Sequence, residues 1–234
     1  MYMSLWSRIS EAIAALAKGE SLTQVFDHLR AAPEKTVGFA IAVIALGAKM
    51  AKADGQVTKD EVTAFREVFQ IAKADEAGAA RVFNMARTDT AGYREYARQI
   101  QAMFAGDPTT LSDLMEGLFH IAMADGFYHP NENEFLREVS QIFGLEITQF
   151  RALRARFVPD APQDPFTILG VHPEMPRDEI RKHWRQLVRE THPDAMMARG
   201  VPEEAVRLAE KRMIDINRAW DQINGCAKYA AHQL

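Results

Sequence analysis

The sequence predicts an all-α protein: a helical bundle with an internal helical-hairpin repeat, joined to a small C-terminal helical hairpin. Three observations carry that prediction. Apolar residues recur at three- and four-residue steps through most of the chain. No segment alternates apolar and polar residues as a half-buried strand does, and no hairpin turn joins two such segments. One pattern occurs twice, as AKADGQVTKDEVTAFREV at 51–68 and AMADGFYHPNENEFLREV at 122–139.

Taken in order, Leu5, Ile9, Ile13 and Leu16 trace one face of a first helix. Leu22, Val25, Phe26 and Leu29 trace a second, with Ser21 placed to cap it. Trp6 lends the first helix some membrane affinity, but its polar face has few cations, so docking on the protein's own core is expected. Residues 37–50 are the most apolar run. A bilayer span takes about 18–20 residues, so this run reads as a buried core helix.

Each repeat copy reads as an apolar helix, an Asp-Gly turn and an amphipathic helix. Asp54 falls on Asp125, Gly55 on Gly126, Glu61 on Glu132 and Phe65 on Leu136. Glycine accepts the left-handed conformation that ends a helix, which accounts for Asp-Gly at both sites. Residues 79–86 and 93–104 read as two further helices, and Gly106, Asp107 and Pro108 break the chain before Thr109 opens the second copy. A last helix spans about 147–157. The expected organisation is N-terminal helices in 1–34, a domain over 35–157 with its hairpins about a pseudo-twofold axis, a linker at 158–163 and a second domain over 164–234.

The linker VPDAPQ has two prolines and almost no apolar content. Beyond it, Asp164 is placed to cap a short helix, with Pro165 at its first position and Gly170 after its end. Phe166, Leu169 and Val171 give that helix an apolar side. The next helix starts near Pro176, with Asp178 and Glu179 at the positive end of its dipole. Ile180, Trp184, Leu187, Val188 and Thr191 share one face of it. Arg181, Arg185 and Arg189, four residues apart and beside Lys182, form a cationic ridge on another. His183 falls on the polar side and is expected in solvent.

Pro193 has no amide to donate and holds His192 extended, so the helix ends in a rigid His192-Pro193-Asp194 corner. MMARGVPEEAV reads as a long loop. Val206, Ala209, Met213, Ile216, Trp220 and Ile223 then step 3-4-3-4-3, a seam expected to pack a final helix antiparallel on the basic one. Trp184 and Trp220 are expected in the core, and the tail after Gly225 is expected to be loosely held.

Residues 164–224 resemble the J domains of DnaJ-like co-chaperones. DPFTILGV resembles the family's first helix, IRKHWRQLVRETHPD its second helix with the HPD motif, and AEKRMIDINRAWDQI its third. HPD alone is a weak match; at the end of a basic helix, between LGV and INRAW, it is specific. The resemblance implies docking on a DnaK-type heat-shock ATPase and stimulation of its ATP hydrolysis. It assigns partner binding to His192, Pro193, Asp194, Arg181, Lys182, Arg185 and Arg189. The cations would steer encounter with an acidic surface, and the ordered tip would make the decisive contact. His192 needs no proton-transfer role.

Departures from the common J pattern are Ala195 where a basic residue is frequent, Glu190 within the cationic helix, and Trp184 and Thr191 in place of tyrosines. They bear on partner affinity more than on partner identity. Residues 35–157 resemble the TerB-like (tellurite-resistance) domain, whose repeats carry an A-x-A-D-G…E pattern. A TerB-like domain followed by a J domain resembles the DjlA-like proteins, and implies that the N-terminal half targets the chain or recruits clients. Members of that group often have an N-terminal transmembrane anchor; none is read here, so membrane attachment is not carried over.

A competing reading is a divalent-metal-binding stress-response module that acts as an interaction scaffold. Asp54, Glu61, Asp125 and Glu132 are candidate oxygen ligands for calcium or magnesium, and His120 and His129 extend the set toward zinc. The same acids have a structural account, which carries more weight. Thr58 and Glu61 form a capping box, and Glu132 lies in a first turn after Pro130. No cofactor is otherwise required.

Net charge is −4, which argues against a general nucleic-acid binder. The lone Cys226 excludes an intrachain disulfide and a Cys-rich zinc module. Without a glycine-rich phosphate loop, a nucleophile motif or an H-E-x-x-H helix, the chain is not expected to be an enzyme. The first residues hold no sustained apolar stretch, so a cytoplasmic location is expected. Neither the client nor the oligomeric state is legible in the sequence, a homodimer being one option.

Overall fold

The computed structural model describes residues 35–54, 92–159, 164–202 and 206–231, together with Ile9, Ala80, Phe83 and Asn84. Every described element is a helix or turn, so the fold is all-α. The expected helices over 1–34 and the second half of the first repeat copy lie outside the described residues, except that Ile9 is helical and fully buried.

Helix α1 (Lys35–Asp54) is the predicted apolar run, and every residue from 37 to 50 is buried. Such all-round burial needs neighbours on several sides, and α2 (Tyr93–Met103), α3 (Pro108–Ala122) and α4 (Pro130–Ile142) supply them. Gly117 of α3 faces α1: a Cβ there would stand 3.5 Å from a Val43 methyl, an ordinary van der Waals contact. Lys49 is the one charged residue in that run, and its ammonium lies 4.9 Å from the Tyr96 ring centre.

The breaker before α3 works as a cap. Asp107 accepts from the Thr110 amide at 3.1 Å and from its hydroxyl at 2.7 Å, so the helix begins at Pro108 rather than Thr109. Helix α4 docks on α2 through Tyr93 and Phe135, whose ring centres are 4.6 Å apart. Helix α5 (Ile147–Phe157) closes the bundle, with the Phe150 and Phe157 ring centres 5.6 and 5.9 Å from that of Phe119. Burying a ring such as Phe119 stabilises the fold by roughly 1.5–3 kcal/mol.

The C-terminal part begins with α6 (Pro165–Leu169), capped as expected: Asp164 accepts from the Thr167 amide at 2.8 Å. Gly170 ends it at φ 68°, a left-handed conformation that suits glycine. Helices α7 (Arg177–Glu190), α8 (Pro193–Ala198) and α9 (Arg207–Ala231) follow. Trp184 and Trp220 stack 5.2 Å apart between α7 and α9, and the Trp184 indole donates to Asn217 at 3.0 Å.

Three expectations change here. The segment read as a loop opens with helix, because Met196 and Met197 belong to α8. Helix α9 continues to Ala231, past Gly225, where a loose tail was expected. The 3-4-3 seam also does not serve one partner. Ile216, Trp220 and Ile223 join Ile168, Leu169 and Ile180 in a C-terminal core, whereas Ala209 joins the core built on α1–α5.

Met196 and Val201 enter that N-terminal core as well, and Ala155 of α5 enters the C-terminal one. Val158, at the start of the expected linker, is buried. The two halves therefore share apolar surface on both sides of residues 158–163. A mixed polar and apolar cleft of about 410 Å³ remains between them, lined by Thr109, Ser112, Gln149, Arg156, His183 and Gln186 among others.

Candidate functional site: an outward corner on a cationic helix

Helix α7 supplies one component of the site. Its apolar face faces α9, and Arg177 ties its first turn to Asn224 of α9. Arg181, Lys182, Arg185 and Arg189 are all exposed, in the register expected from their spacing. His183 departs from expectation. It is half-buried, with Nε2 3.0 Å from the Leu169 carbonyl, because α6 folds back over that side of the helix.

The corner follows directly. Thr191 is buried and ends α7, and its amide donates to Leu187 at 2.9 Å. His192 takes an extended backbone, φ −61° and ψ 134°, as the residue before a proline must. Its Nδ1 accepts from the Asp194 amide at 3.3 Å, so the imidazole caps α8. In the neutral ring, an accepting Nδ1 leaves the Nε2–H free to donate.

The side chains of His192 and Asp194 are 56% and 83% exposed, and His192 Nδ1 lies 3.7 Å from Asp194 Oδ2. The corner thus offers a hydrogen-bond donor and a carboxylate acceptor on a frame stiffened by Pro193. This arrangement can bind a polar surface. Nothing in it forms a nucleophile–base pair.

The candidate metal residues sit differently. Asp125 accepts from the Phe127 amide at 2.9 Å and lies 3.3 Å from His129 Nε2. Glu132 is buried and accepts from the His129 amide at 2.9 Å, completing the capping box of α4. His120 lies in the last turn of α3. The Asp54 side chain and Glu61 lie outside the described residues. Among the described residues, no group of three or more His, Cys, Asp or Glu gathers as a metal site.

A buried charge cluster that helical periodicity does not mark lies behind the corner. Asp113 and Glu116, both on α3, face Arg156 of α5, Arg199 after α8 and Arg212 of α9. Arg199 and Arg212 each donate to Asp113 at 2.8 Å, and Arg212 also bonds Glu116. Burial opposes the Arg212 charge, but Glu116 and Asp113 outweigh it and raise its pKa. Burial lowers the pKa of Arg156, against the pull of Glu116. For Asp113, burial outweighs its two arginines and raises the carboxyl. The available signal was two acids, three residues apart, on a helix otherwise rich in core residues.

Comparison with known proteins agrees with this geometry. Residues 40–155 match the family model of tellurite resistance protein TerB, and residues 164–228 match that of the DnaJ domain. Fold and site thus define a two-part helical protein, a TerB-like domain followed by a J domain. "Co-chaperone protein DjlA" of Coxiella burnetii is 28% identical over 194 residues, covering 74% of this chain and 72% of the relative. The protein of that name in Vibrio parahaemolyticus is 25% identical over 214 residues, covering 78% and 75%. In Escherichia coli K12 it is 28% identical over 153 residues, covering 56% of each. In domain order, and in sequence over most of its length, the chain is DjlA-like. No solved structure gives a significant match. No helix among the described residues is long and apolar enough to cross a membrane.

Proposed function

We propose that the chain is a J-domain co-chaperone that docks on a DnaK-type heat-shock ATPase and stimulates its ATP hydrolysis, itself catalysing nothing. The observation that carries this reading is the outward His192-Pro193-Asp194 corner at the end of an exposed cationic helix. The co-chaperone names of its relatives support it. The TerB-like half targets the chain or recruits clients, and the chain works in the cytoplasm, where its partner's ATP is.

The test is single-turnover ATP hydrolysis by a DnaK-type ATPase with the full chain added. The wild type accelerates hydrolysis. His192→Gln does not, while its helical content and melting temperature match the wild type. Equal stimulation by a folded His192→Gln variant would overturn the reading.

A further inference from the structure

Glu190 is the last residue of α7, two positions before His192, and its carbonyl is among those a helix end leaves without an intrahelical partner. Arg199 fills that vacancy: its Nη2 donates to the Glu190 carbonyl at 3.0 Å. The same nitrogen donates to Asp113 Oδ2 of α3 at 2.8 Å. Asp113 is itself placed by Arg212, which holds its other oxygen at 2.8 Å.

A second, apolar attachment lies on the far side of the corner. Met196 of α8 and Val201 are each 2% exposed and sit in the core built on α1–α5. Gly200, at φ 92°, turns the chain between them, and the Val201 amide closes the turn on the Met196 carbonyl at 3.1 Å. Both attachments end in the TerB-like half, and His192 and Asp194 remain outside them.

We propose that Arg199 and Asp113 are positioning residues for the His192-Pro193-Asp194 corner: through them the TerB-like half fixes the corner's orientation for its partner. This rests on the co-chaperone reading and gives the N-terminal domain a mechanical role besides any client it recruits. The arginine touches no partner group; it acts through the Glu190 carbonyl. A corner released from it samples several orientations, only a fraction of which can dock. The apparent affinity then falls by that fraction, while the fully bound complex is unchanged.

The experiment uses the full chain in two measurements. Amide hydrogen exchange by NMR follows residues 191–197, and single-turnover ATP hydrolysis is titrated against co-chaperone concentration. Arg199→Met is expected to speed exchange at 191–197 while the buried amides of α1 keep their protection. It raises the half-saturating concentration about tenfold and leaves the maximal rate within about twofold. Arg199→Lys restores most of both, because one nitrogen makes both bonds and an ammonium can replace it.

Unchanged exchange at 191–197 in Arg199→Met overturns the proposal whatever the ATPase does. So does a lowered maximal rate at unchanged half-saturation. A wild type that fails to stimulate hydrolysis defeats the co-chaperone reading instead, and the exchange measurement still decides whether Arg199 holds the corner.

Discussion

Arg212 Nη2 lies 2.8 Å from Asp113 Oδ1 although 99 positions separate the two residues, and both side chains are buried. The pair joins the last helix of the J domain to the middle of the TerB-like bundle. Removing one member of a buried pair costs far more than the pair contributes net, because the survivor cannot regain water.

Arg212→Met is therefore expected to destabilise the chain by about 3–5 kcal/mol. It leaves Glu116 with Arg156 alone, at 3.6 Å. Arg98→Ala, which removes an exposed pair with Glu95, should stay within about 0.5 kcal/mol of the wild type. Urea unfolding of both variants checks the contrast. An Arg212→Met cost near that of Arg98→Ala would mean that water reaches the cluster.

The cationic ridge acts at long range, so its contribution is salt-dependent. Each exposed pair is worth about 0.2–1 kcal/mol, so Arg185→Ala with Arg189→Ala should raise the half-saturating concentration about 2- to 30-fold at low salt. The difference should shrink at about 0.5 M salt, where the screening length falls below about 5 Å. Titrating ATPase stimulation at both salt concentrations reads it directly. A deficit independent of salt would show that the arginines act by shape and not by charge.

Glu138 couples α2 to α4 and sets an acid limit on that contact. Arg94 donates to it at 2.7 and 2.9 Å, and the Tyr93 hydroxyl at 2.6 Å. Those bonds, the arginine's first, hold its carboxyl below the ordinary value of 4.5. The folded state thus favours the carboxylate. Its contribution is complete above the ordinary value and is lost as pH falls through the lower, folded one. Between about pH 6 and about pH 3 the wild type should lose more stability than Glu138→Gln, measured by urea unfolding. Parallel pH profiles would argue against the assignment.

Much of the site was readable in the residues. Asp164, Pro165 and Gly170 bound a short helix because capping, a fixed φ and left-handed freedom are local properties. The ridge of Arg181, Arg185 and Arg189 follows from helical spacing, and the His192 corner from the restriction Pro193 imposes. Glu132 as a first-turn acid was legible in the same way, and the structure makes it the cap on the His129 amide.

His183 was not, since its burial depends on where α6 folds back. Nor was the division of the last helix, where Ala209 serves one core and Ile216 another. The sequence by itself determined most of the described helices, their caps and the chemistry of the corner, all of which act within a few residues. Only the tertiary structure decided which faces meet. Periodicity marks a face for burial without naming its partner, and two acids on an apolar helix hint at burial without naming the arginines that meet them. Asp113 reaches Arg199 and Arg212 because packing of two apolar cores brings α3, α8 and α9 together.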